Sequence, residues 1–371
     1  MSSMQTQNGL NAGSIGWLGF ELSVLRRLKF RSVALPLAGE PNLGLYLKRW
    51  NARVAANDPA QWAWTKSQAF VENNSETLTE QDLDALLDDA YVPRSYFRNP
   101  TLLTWFNETD AWWFDNVRTN ADQLTSPHKR ALALALGMAV GDYVFSFNLD
   151  TRDLRQPLSL SNVFRRVWHT ALPPFNNQRR NTSSNQSARS FLADTQDTDL
   201  LFLRLPRPTR ASDSRNARVL TWREEWMRMG KGFWNELAKD RGGKLDAYVE
   251  TKEQYLGLIE DLLHTAAHLP LWAIEAVSDG FVTTDELVEC VGNTRKIDAI
   301  HTKDFSELLG IQAVIITGRR ERKVREVLRL VKDDGWFLVT TEGSHRQFKH
   351  ATKLARVPFL GIRATMYTRK L

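Results

Sequence analysis

Apolar positions along this chain recur with two periods, and the way the periods take turns predicts its architecture. Ser32–Leu35 (SVAL) reads as a short strand, Pro36–Asn42 as a turn and Leu43–Trp50 as a helix, with a second strand at Arg53–Ala56. From Asn73 to Gly141 the text is helical, and Ser126-Pro127 has the form of an N-cap followed by proline at the first helical position. Asp199–Pro206 (DLLFLRLP) predicts a buried strand, Glu250–His268 a helix and Leu271–Ala276 a strand. Thr283–Val291 is a helix opened by a Thr-x-x-Glu capping box, and Lys296–Ile300 and Gln312–Thr317 are two more short strands. Strands alternating with helices predict an open, largely parallel α/β sheet, here with a helical insertion.

Near the carboxyl end the pattern changes. Val324, Val327, Leu328 and Val331 recur at i, i+3, i+4 and i+7, one apolar face of a helix, and Gly335 stands where a C-cap belongs. Trp336–Thr341 and Ser344–His350 then read as two strands around the Glu342-Gly343 turn. Side chains alternate across a strand, so His345, Gln347 and Lys349 share one face while Arg346 and Phe348 take the other. With Phe348 against the helix, a histidine, an amide and a cation are left towards solvent. That face suits an anionic polymer.

Composition places the chain among ordinary globular proteins, with 42% hydrophobic and 25% charged residues. No apolar run reaches the roughly 18 residues of a membrane span; the nearest, Ala131–Val140, reads as a buried helix. The start lacks a basic-then-apolar signal pattern, so the expected location is cytoplasmic, with no membrane partner. Cys290 is the only cysteine, which excludes intrachain disulfides and a cysteine zinc cage, and no metal site is expected. Trp105, Phe106, Trp112, Trp113 and Phe114 read as core rather than as a base-stacking platform. Residues 175–190 form a polar, basic loop. Charge divides the chain: residues 319–371 hold 14 Lys and Arg against 5 Asp and Glu, a net of +9, leaving 35 against 38, a net of −3, for residues 1–318. A basic tail on a near-neutral body is an electrostatic footprint for nucleic acid. The expected domains are 1–318 and 319–371, with the seam at Gly318–Arg322.

The run from the helix through Asp334-Gly335-Trp336 to Gly343-Ser344-His345 and Phe348-Lys349-His350 resembles the HicA-type mRNA interferase toxins. That resemblance implies a small α+β module with a fold like a double-stranded-RNA-binding domain, RNA as partner, and a HicB-like antitoxin as protein partner. It places the catalytic histidine at His345, with Ser344, Arg346, Lys349 and Lys353 as RNA-binding residues and no cofactor. The family continues with a third strand, a proline and histidine turn and a closing helix. Here LARVPFLGIRATMYTRKL follows Lys353 without a second helical period, so a truncated module and a reading frame altered after Lys353 are expected.

A second resemblance covers residues 13–317, whose order of pieces looks like a Dam-like adenine-specific DNA methyltransferase with a Rossmann-like sheet. Pro36-Leu37-Ala38-Gly39-Glu40-Pro41 stands where that family holds S-adenosylmethionine, and Asn57-Asp58 matches its Asn-Asp, making Gly39 and Asp58 the cofactor-binding candidates. The catalytic Asp-Pro-Pro-Tyr positions become Arg204, Leu205, Pro206 and Arg207. Methylating an exocyclic amine needs a polar acceptor on the nitrogen and an aromatic wall for the flipped base. Arginine accepts no hydrogen bond and repels a cationic sulfonium. The expectation is therefore a HicA-like endoribonuclease module joined to a methyltransferase-like domain that no longer methylates. Two alternatives stay open: a nucleic-acid-binding protein without catalysis, on RNA or DNA, and an adenine-specific DNA methyltransferase using S-adenosylmethionine.

Overall fold

The computed structural model describes residues 16–147, 151–155, 158–205, 214–233, 251–278, 282–309, 311–320, 331–342, 345–353 and 356–360. The chain divides into two compact units, 1–318 and 319–371.

In the first unit the strands are β1 (Ser32–Leu35), β2 (Arg53–Asn57), β3 (Thr182–Ser184), β4 (Leu200–Arg204), β5 (Leu271–Ser278), β6 (Lys296–Asp304) and β7 (Gln312–Arg319). They form one seven-stranded sheet in the order β3-β2-β1-β4-β5-β7-β6. β1 pairs in parallel with β2 and β4, β2 with β3, and β4 with β5. The connection between β6 and β7, residues 305–311, is too short for the dozen or so residues of a parallel crossover. Phe305 N–H donates to Ile311 O at 3.0 Å and Thr317 Oγ1 donates to Ala299 O at 3.1 Å, so numbers rise on one strand as they fall on the other. These two strands run antiparallel.

Alternation along the strands explains why this sheet is covered on both faces. Ala34, Leu201, Leu203, Trp272, Ile274, Val314 and Ile316 pack with helices Ala188–Asp194, Lys252–Thr265 and Thr284–Gly292. Val33, Leu35, Leu200, Phe202, Ala273 and Ile315 pack on the other side with helix Asn42–Arg49 and the helix at 16–25. Apolar on both faces through most of their length, the central strands read as nearly continuous hydrophobic runs, which fits a parallel sheet buried on both faces. The capping box forms as expected: Thr283 Oγ1 accepts from Glu286 N–H at 3.2 Å while the Glu286 carboxylate accepts from Thr283 N–H at 2.8 Å. Cys290 lies in the core, and burial pushes its thiol up to about 12.

A third core is helical, built mostly from the segment between β2 and β3 and completed by helix Ser214–Met227, which follows β4. Trp113 and Phe114 on helix Glu108–Ala121 are fully buried there and Phe106 nearly so, while Trp112 is buried against the Phe97 ring and Trp105 is half-buried at the margin. Helix Ser214–Met227 seats Trp222 and Trp226 against helix Pro127–Phe145, whose Ser126 cap and leading proline match the sequence reading. A Cβ added at Gly141 would lie 2.2 Å from the Trp222 ring, and one at Gly137 would lie 2.5 Å from Trp226. These glycines are the sockets for the two indoles.

The second unit contains a three-stranded antiparallel sheet, β10-β9-β8, built from β8 (Trp336–Glu342), β9 (His345–His350) and β10 (Arg356–Leu360). The third strand was not read from the sequence; its proline at 358 is tolerated because β10 lies at the edge of the sheet. Residues 331–333 close a helical turn, and Gly335 follows at φ +85°, the left-handed cap that glycine adopts without penalty. Val331 and Phe348 are buried. Val324, Val327, Leu328 and the residues after Leu360 lie outside the described residues. Among the described residues no helix is long and apolar enough to cross a membrane.

Candidate functional site

Two places were singled out by sequence, one in each unit. In the first, strand order runs from β1 to β2 and β3 on one side and to β4 on the other, so the crevice of a doubly wound sheet falls between the carboxyl ends of β1 and β4. Gly39, Asp58 and Arg204 meet around it.

Gly39 sits in the β1 turn at φ +58°, and its N–H donates to Asp58 Oδ2 at 2.8 Å. The other carboxylate oxygen of Asp58 accepts from Ala60 N–H at 2.9 Å. Ala38 N–H donates to Asn57 O at 2.9 Å, and Asn57 Nδ2 donates to Pro36 O at 2.9 Å. The turn is thus tied to the tip of β2 through both members of the Asn-Asp pair. Glu40 pairs with Lys66 at 2.8 Å and with Arg223 at 2.7 Å, and Arg223 continues to Asp142 at 2.6 Å. Burial alone would raise the Glu40 carboxyl, but these two cations bring it below its ordinary value.

Arg204, at the end of β4, grips Glu21 with a two-pronged contact, Nε at 2.7 Å and Nη2 at 2.8 Å. Its Nη1 donates to Ala38 O at 3.0 Å, and Nε stands 3.3 Å from Glu275 Oε2 on β5. Glu21 is 0% exposed and Glu275 3%. Burial, then the Glu21 carboxylate beside it, holds the Glu275 carboxyl well above the usual carboxylate range. Burial opposes the charge on Arg204, yet the two glutamates outweigh it and raise the guanidinium further. Leu205 is buried and donates its N–H to Glu275 O at 2.8 Å. Pro206 and Arg207 lie outside the described residues.

These residues do not fit S-adenosylmethionine. The Gly39 N–H is spent on Asp58, and Pro41 has no N–H to offer. A guanidinium, with donors and no acceptor, stands over the turn where a sulfonium would need an anion or a carbonyl. Asp58, the other cofactor-binding candidate, fastens the turn instead. Glu21 and Glu275 were missed in the sequence, although a glutamate inside the apolar strand LWAIEAV is a signal that a counter-charge must be near.

The second place is β9, the central strand of the small sheet. His345 is its first residue, opposite Glu342 on β8 and Leu360 on β10. Arg346 lies opposite Thr341 and Phe359, and Lys349 opposite Phe337 and Arg356. Phe348 is 1% exposed, so strand alternation puts positions 345, 347 and 349 on the face away from that buried ring. Ser344 lies outside the described residues. Lys353 is engaged locally, with Nζ 2.6 Å from Asp334 Oδ2, and that contact, followed by the indole N–H of Trp336 at 2.9 Å, holds the Asp334 carboxyl below its ordinary value.

His350 fastens the sheet. Its Nδ1 accepts from the N–H groups of Thr352 and Lys353, both at 3.1 Å, which leaves Nε2 as the donor to Asp334 O at 2.8 Å. Its ring meets Trp336 edge to face at 5.4 Å between centroids. Among the described residues no group of three or more His, Cys, Asp and Glu side chains is placed to hold a metal ion. Neither a protein-family model nor a curated protein matches this chain.

Proposed function

We propose that this protein acts on RNA through its carboxyl-terminal unit, a HicA-like endoribonuclease module carried by a methyltransferase-like domain that does not methylate. The observation that supports the reading best is the burial of Phe348 in the central strand, because it assigns position 345 to the opposite face of a basic unit. An imidazole there can take the proton from a ribose 2′-OH as its oxygen attacks phosphorus, or give one to the departing 5′-oxygen. The phosphodiester bond to the 5′-oxygen breaks, a 2′,3′-cyclic phosphate remains, and no metal is required. Lys349 stands one row along the same face from Gln347 to hold a phosphate. On the other unit, the engagement of Arg204 with Glu21 and Ala38 supports a domain kept for structure.

Growth arrest on expression tests the reading. Wild type should stop growth and leave RNA with cyclic phosphate ends, and His345→Ala should abolish both at equal expression. Arrest that persists in His345→Ala would remove the histidine from the chemistry.

A further inference from the structure

Phe337, Leu338 and Val339 are consecutive in β8 and all exposed, at 54%, 49% and 46%. Three exposed apolar residues in a row on a sheet edge are a liability in water unless they have a use. Two of the three have a local reason. Leu338 lies opposite Phe348, on the packed face. Val339 is the extra residue of a bulge, since the register steps from Leu338 to Thr340 while β9 advances by one. Phe337 has none: it lies directly opposite Lys349, on the face shared by positions 345 and 347. Across β9, Arg356 and Pro358 take the corresponding positions of β10.

We infer that this face binds single-stranded RNA by stacking one unpaired base on Phe337, with Lys349 beside it for the adjoining phosphate. The inference rests on the RNA reading above and adds the class of RNA. An aromatic ring next to a cation on an antiparallel sheet face is a base platform, since every base offers a π-face whatever its sequence. A net charge of +9 over residues 319–371 favours a polyanion over an apolar partner. A duplex keeps its bases stacked on one another and has no free face for the ring. Two same-face steps separate Phe337 from position 345, roughly 13 Å along the strand. The anchored base therefore belongs to a nucleotide other than the one whose phosphate meets position 345, and Phe337 is a positioning residue.

Fluorescence anisotropy with the full chain tests this, using a short mixed-sequence RNA as a single strand and annealed to its complement. Wild type should bind the single strand about tenfold more tightly than the duplex. Phe337→Ala should lose about tenfold on the single strand and little on the duplex, with its salt slope unchanged because no phosphate contact is removed. Phe337→Trp should restore binding, which separates stacking from any loss of fold. In cleavage assays Phe337→Ala should raise KM and leave kcat near wild type. Single-strand binding unaltered in Phe337→Ala, or a duplex bound as tightly as the single strand, would overturn the stacking site while leaving the RNA reading intact. Absence of binding to either RNA would overturn both.

Discussion

The two sheets handle a basic residue in opposite ways. In the large sheet Arg204 ends a strand between two helical layers, and two glutamates, one from the helix at 16–25 and one from β5, neutralise it. In the small sheet Lys349 lies half-buried on the face away from the buried Phe348. The difference is one of layers. A parallel sheet with helices on both faces has no solvated side, so a charge at its edge must be matched from within or by a ligand. A three-stranded antiparallel sheet that buries one face leaves the other for water or a partner. A basic residue alone in a sequence does not say which of these it will be.

The largest effect is expected at Arg204. Arg204→Ala strands two buried carboxylates and should cost about 3–5 kcal/mol in urea unfolding. A loss under about 1 kcal/mol would mean that the guanidinium is as solvated as a surface cation. Gly335→Ala should come next. It forces a Cβ into φ +85° and 2.9 Å from His350 Nε2, at a cost of about 1–2 kcal/mol, read as faster hydrogen exchange at the amides of β8 and β9. Unchanged exchange there would remove His350 from its fastening role.

Glu275→Gln should have the smallest effect, within about 1 kcal/mol at neutral pH, and its signature is a change in pH dependence. The raised carboxyl binds its proton more tightly folded than unfolded. Its contribution is therefore whole below the ordinary value of 4.5 and fades as pH rises towards the folded value. The fall in Tm above pH 4.5 should flatten in the variant. A slope identical to wild type would assign that fall to another group.

Local order was largely legible. β1 falls at Ser32–Leu35, where the apolar run SVAL put it, and helix Thr284–Gly292 starts at the Thr283 cap. Propensity, capping and period act over a few residues, and so can be read from a few residues. β10 escaped because edge position, which excuses its proline, is a property of the sheet and not of the segment. For the candidate sites the residue types were in view, but their partners were not. Gly39 and Asp58 are neighbours, yet they satisfy each other, and the acids that claim Arg204 come from positions 21 and 275. Phe337 looked like any strand aromatic until the bulge and the pairing with Lys349 set its face. Hydrogen bonds and charges are met by whatever side chain the fold brings within about 3 Å, and sequence distance places no bound on which one that is.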